Sequence, residues 1–267
     1  MNSHTPDIAD FAPVETLAGR LDAGVLAICD HARNAFPTGY GTLGLPPDAL
    51  ERHIAYDIGA RGLSLELAAR LAAPAVLSTY SRLLIDPNRG EDDPTLVMRY
   101  SDGAVVPGNA RIDEAEIARR VARYWRPYRD AVEATTQAMI ATGTPPAIVS
   151  VHTFTPVWRG TPRPWKVGLL YDRDDRLART LIAALAADGL ASDEIGDNEP
   201  YGGGLKGDTI DAMATSRGLL NVLIEVRQDL VSTPQAAREW GARLARLVAV
   251  ALAAAHLELA AKSPTKA

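Results

Sequence analysis

Cysteine is almost absent from this chain, with Cys29 alone among 267 residues. A single thiol excludes an intrachain disulfide and fits a reducing compartment such as the cytoplasm. No dense Lys/Arg block exists, and 28 basic against 33 acidic side chains leave a formal charge of -5. A polyphosphate partner needs a basic footprint, so nucleic acid is not expected. The longest uninterrupted apolar run, residues 247–255, lies between Arg246 and His256; it falls far short of the roughly 20 residues that span a bilayer. Residues 1–11 carry Asp7 and Asp10 but no Lys or Arg, so a secretory signal, with its basic start and apolar core, is not expected. Histidine is scarce too, at five, which makes each position informative.

What remains is ordinary globular material, 47% hydrophobic and 23% charged, long enough to bury a sizeable core. Short apolar runs alternate with long amphipathic stretches. Residues 25–29, 75–80, 147–151, 167–171 and 219–226 read as buried strands. Helical periodicity covers 48–71, 113–142, 175–187, 208–215 and 234–262, with Asp or Pro repeatedly at the start. Strands without polar alternation need helices on both faces, so the expected class is α/β, a three-layer αβα domain over 14–262 between frayed tails. Two turn-rich segments interrupt the pattern. Residues 85–108 form the longest irregular stretch, the kind that often carries function; residues 191–207 hold Gly202, Gly203 and Gly204 and suit a flexible lid.

Several motifs fail on context. The glycine spacings at 39–44 and 202–207 match a dinucleotide fingerprint, but neither sits between a strand and the helix it opens. Lys206 precedes Gly207 instead of following it, so no Walker A loop exists. Gly62-Leu63-Ser64-Leu65-Glu66 lacks the closing glycine of a nucleophile elbow and lies in a helical pattern. Cys29, inside an apolar strand, reads as a small hydrophobe and not a nucleophile. The charged stretch 111–129 reads as a solvated helix face. Trp158 and Trp165 either line a pocket or plug a loop onto the core.

Three histidines remain once His4 in the tail and His256 in the last helix are set aside. His31 and His152 each follow an apolar strand where it turns polar, and Glu225 sits near the end of another. Residues 75–80 run into Ser81 and Arg82. Ligands in open α/β sheets bind beyond the carboxyl ends of strands, so these four ends are expected to converge. His53 and Asp57, four apart on the expected helix 48–71, would share one face. A catalytic divalent ion takes about three imidazole or carboxylate ligands and keeps a position open, a count that His31, Asp57 and His152 satisfy. Arg82, Arg89 and Arg227, with Asn88 beside Arg89, lie where strands become loops, and arginine's planar fork suits carboxylate recognition.

Five blocks taken together carry a resemblance: Cys29 to Asn34, His53 to Ala60, Ser81 to Arg89, Ser150 to Pro156 and Ile224 to Leu230. In this order they resemble the N-formylglutamate amidohydrolase family over about residues 20 to 250. The resemblance implies a mixed, mostly parallel sheet flanked by helices, similar to zinc carboxypeptidases and cell-wall amidases, and hydrolysis of N-acyl amides of acidic amino acids. By comparison with the amidases it implies a zinc-like ion on His31, Asp57 and His152 and a catalytic Glu225, with Asn34 or His53 as alternatives to Asp57. Relatives often carry a His shortly before the last strand, where 208–217 has none. A binding protein that keeps the crevice without turnover is the alternative.

Overall fold

The computed structural model describes residues 11–262. Seven strands form one sheet: β1 (Val14–Leu17), β2 (Val25–Cys29), β3 (Ala75–Ser78), β4 (Ala147–Phe154), β5 (Val167–Leu170), β6 (Ile195–Asp197) and β7 (Asn221–Arg227). Their order is β1-β3-β2-β4-β7-β5-β6. The pairs β3–β2, β2–β4, β4–β7 and β5–β6 are parallel; β1–β3 and β5–β7 are antiparallel. The sheet is thus mixed and mostly parallel. Two small hairpins, Tyr100–Ser101 with Ala104–Val105 and Val157–Trp158 with Thr161–Pro162, stand apart from it.

Strict alternation divides each central strand between two helical layers. Ala27, Cys29, Val149, Val151, Val222 and Ile224 face a cluster that includes Leu63 and Leu67 of α1 (Ala60–Arg70). The same cluster holds Leu181 and Leu185 of α4 (Arg176–Ala187) and Leu244 and Val248 of α6 (Pro234–Lys262). Leu26, Ile28, Val76 and Ile148 face Tyr128, Val132 and Met139 of α3 (Arg126–Ala141) and Ile210 and Met213 of α5 (Thr209–Met213). α2 (Glu114–Arg120) runs through a π turn, Val121–Trp125, directly into α3. α6 is long and apolar enough over Pro234–Leu257 to cross a membrane by composition alone, but its apolar stripe is taken up by the core.

The expected strands and helices differ from the structure mainly at 48–71. Only a single turn, Pro47–Leu50, and α1 are helical there; the residues between form turns. Gly59 explains the break. Its φ is +84°, and a Cβ would lie 2.3 Å from the carbonyl oxygen of Val231. The chain therefore turns sharply against Val231 before α1 begins. Residues 11–13, expected to fray, are tied down: Phe11 meets Tyr124 edge-on and Pro13 accepts from the N–H of Thr79. The remaining tail residues, with His4, lie outside the described residues.

Candidate active site

α3 and α5 cover only the first part of their sheet face. Past that cover, the alternation that turns Ile148 inward also turns Ser150, His152 and Phe154 to the same side of β4. On β7 it does the same for Leu223 and Glu225, and Glu225 stands in register with His152. The chain leaves β2 towards β3 on one side and returns to β4 on the other, so a crevice opens at the ends of β2 and β4. A cavity of about 360 Å³ occupies it, lined among others by His31, Asp57, Arg82, Asn88, Arg89, His152 and Glu225.

His31, Asp57 and His152 are all buried, and one ligand atom from each lies within 4.8 Å of the others. His152 Nδ1 is 2.9 Å and His31 Nδ1 3.4 Å from the same oxygen, Asp57 Oδ2. Each imidazole is held from behind. His31 Nε2–H donates to Asp86 at 2.7 Å, and His152 Nε2–H donates to Asp30 at 3.1 Å. Both Nδ1 atoms are turned to Asp57. Asp57 is placed by its backbone N–H on the carbonyl of His31 and by the Thr153 N–H on Oδ2.

Charge in this cluster is dense. Burial alone would raise the carboxyls of Asp57 and Asp86, but the facing imidazoles, and for Asp86 also Arg82, outweigh it and hold both well below the usual range. Burial would likewise lower both histidines, yet the carboxylates raise them. Glu225 is different. Burial pushes its carboxyl up to about 7, and Oε2 has no hydrogen-bond partner. Burial also raises Asp208, which caps α5 and lines the cavity, to about 6.

Arg82 reaches Asp86 at 3.1 Å and Asp57 at 3.5 Å, and Arg89 lies 3.9 Å from Asp86. The Nε atoms of both arginines are buried without a partner. Asn88 donates its backbone N–H to Asp86. Arg227 is not in the cavity. Its guanidinium is spent on Asp229 and on the carbonyls of Arg163, Pro164 and Trp165, so it anchors a neighbouring loop.

The expectations for Asn34, His53 and residues 111–129 change, while those for Cys29 and Trp158 do not. Asn34 donates to the Leu50 carbonyl, away from the imidazoles. His53 and Asp57 share no helix face; His53 lines the cavity with Nε2 3.3 Å from Asp102 but without a hydrogen bond to it. Cys29 is fully buried, and burial pushes its thiol up, away from thiolate chemistry. Trp158 lines the cavity, as do Gly202, Gly203 and Gly204. The stretch 111–129 is not simply solvated, since Arg120 and Arg129 are buried. Arg129 donates to the carbonyls of Pro87, Arg89, Gly207 and Asp208, and so clamps two loops of the site together. Sequence reasoning also missed Asp30 and Asp86, although Asp30 adjoins His31 and Asp86 lies in the block that carries Arg82.

Residues 23–232 match the family model described as N-formylglutamate amidohydrolase. The chain belongs to the N-formylglutamate amidohydrolase family. A gene product of Agrobacterium tumefaciens of known crystal structure is 34% identical, with a TM-score of 0.85, over 91% of this chain and 96% of that one. An N-formylglutamate amidohydrolase from Ralstonia eutropha has the same fold at 20% identity and a TM-score of 0.66, over 92% and 98% of the two chains. Nothing among curated proteins matches.

Proposed function

We propose that this family member hydrolyses the amide bond of an N-acyl acidic amino acid such as N-formylglutamate, with a divalent metal ion. One observation carries the reading: two buried imidazoles and a carboxylate converge on one point, each imidazole braced by a carboxylate, beside a buried glutamate with a free oxygen. The donor set fits an ion. His31 Nδ1 is buried without a hydrogen-bond partner, and two His with one Asp form a three-ligand set of the kind zinc accepts in catalytic sites. Ligation of an ion requires the imidazoles to be neutral; among the described residues the buried carboxylates Asp30, Asp57 and Asp86 would then outnumber the one guanidinium, Arg82, within 3.5 Å of them, and a cation would replace the imidazole protons in offsetting the excess.

His31, Asp57 and His152 would hold such an ion, which would supply Lewis acidity for activating water and the scissile carbonyl. Glu225 takes the proton of the attacking water on Oε2 and later delivers it to the leaving nitrogen. A carboxyl near 7 suits both directions of transfer at neutral pH. Arg82 and Arg89 receive the substrate's carboxylates through charge-assisted bonds, each contributing about 1.5–3 kcal/mol, and so orient the amide over the imidazoles. Asn88 fixes Asp86 between them. Elemental analysis of the purified protein, paired with hydrolysis of N-formyl-L-glutamate before and after chelation, tests the proposal. Metal present and activity abolished by chelation is the expected result; full activity in metal-free protein overturns it.

A further inference from the structure

The cavity is larger and more apolar than a formyl group requires. At about 360 Å³ it falls in the range of pockets that enclose whole drug-sized molecules, a class larger than an acidic amino acid carrying one formyl carbon. The guanidiniums gather at one wall, around Asp86 and Asp57. Another wall is aromatic. Phe154, two residues beyond His152, lines the cavity with Trp158 and Tyr201. Arg163 binds these three into one patch, its guanidinium 5.6, 5.3 and 4.9 Å from their ring centres.

The rim continues this character. Among the described residues that line the cavity, Tyr201 and Leu205 also expose large apolar side chains to solvent. Scattered exposed apolar residues need no explanation, but Tyr201 belongs to the aromatic patch and carries it from the cavity to the solvent-exposed opening. A formyl substrate leaves that surface wet, while an apolar acyl group covers it and adds remote binding energy that orients the amide.

We propose that the aromatic wall and its exposed edge form an acyl subsite, and that the preferred substrates carry an apolar acyl group longer than formyl. The inference rests on the hydrolase reading above, with the amino-acid carboxylates at Arg82 and Arg89. The test compares N-formyl-, N-acetyl-, N-butanoyl- and N-hexanoyl-L-glutamate on the protein as purified, by kcat/KM and by calorimetric Kd. Each added methylene is expected to raise kcat/KM by about two- to fourfold. Trp158→Ala and Leu205→Ser are expected to flatten that slope; Leu205 is half exposed, so its variant does not depend on refolding of the wall. A flat or falling series in the wild type overturns the subsite, as does loss by one common factor for every substrate in both variants. If no substrate is hydrolysed, the hydrolase reading fails and the subsite is decided by binding: Kd falling with chain length sustains it, and Kd independent of chain length overturns it.

Discussion

Replacing Asp86 with Asn keeps the side chain's shape and removes its charge. Oδ1 accepts from His31 at 2.7 Å and from the Asn88 N–H at 3.0 Å, while Oδ2 accepts from Arg82 at 3.1 Å. The amide preserves the first two bonds with a neutral acceptor and turns a donor towards Arg82. Breaking a buried ion pair from one side costs about 3–5 kcal/mol. Arg82 keeps Asp57 at 3.5 Å and is 21% exposed, so the expected loss is about 2–4 kcal/mol at pH 7. In a chain of this size that lowers Tm by about 5–15 °C. The bracing of His31 passes from a charged to a neutral acceptor and is weakened, and metal affinity is expected to fall about 10–100-fold. Because the folded protein holds Asp86 well below the usual carboxylate range, the unfolded chain takes up the proton first as pH falls. The contribution is therefore complete above about pH 4 and fades below it, towards the depressed folded value. Urea denaturation of both proteins from pH 7 to pH 3 measures this. A gap under about 0.5 kcal/mol at pH 7, or one that does not narrow at pH 3, would refute the reasoning.

Glu225→Gln is expected to lower kcat by about 10²–10⁴ while leaving substrate affinity within a fewfold, measured by steady-state kinetics and calorimetry; equal loss of binding and turnover would remove Glu225 from proton transfer. The same variant tests the raised carboxyl. Folding holds that proton up to about pH 7, so wild-type stability declines as pH rises from about 4.5 through 7, and the Gln variant should lack that decline. Arg82→Lys and Arg89→Lys keep the charge but lose the fork, and each should weaken kcat/KM for an acidic N-acyl amino acid about 10-fold or more. Unchanged kinetics, or equal rates on substrates with amidated carboxylates, would contradict carboxylate binding there. Gly59→Ala places a Cβ 2.3 Å from the Val231 oxygen at φ +84°, and chemical denaturation should show a loss of about 2–4 kcal/mol; a loss below about 0.5 kcal/mol would mean the turn relaxes freely.

The core strands were legible because burial on both faces leaves an unbroken apolar signature, seen at Val25–Cys29 and Val167–Leu170. The edges were not. β1 and β6 are short and partly exposed, too brief for any period to register. β4 runs three residues beyond its apolar run, because His152 and Thr153 find polar partners in Asp57, Asp30 and Gln228 that a one-dimensional pattern does not contain. The segment 48–71 misled for a related reason: its helical period is real in α1, but Gly59 and the Asp57 carboxylate serve the site before they serve a helix.

The same distinction separates the site residues that could be read from those that could not. His31, His152 and Glu225 stand at the ends of apolar strands, where a polar residue is conspicuous. Asp30, Asp86 and Arg129 lie in stretches already rich in charge, and a buried, paired carboxylate looks there like a solvated one. Their roles exist only through partners distant in sequence: Asp86 meets His31 across 55 positions, and Arg129 meets Gly207 across 78. Arg129 makes the point mechanically. Trp125 stacks against its guanidinium at 4.8 Å and donates to the Arg89 carbonyl, which Arg129 also engages. α3, which contributes no group to the imidazole cluster, thereby fixes both the loop that carries Arg89 and the segment that leads into α5. The backbone that carries Arg89 is thus held from behind, by a helix whose charged sequence reads as plain surface.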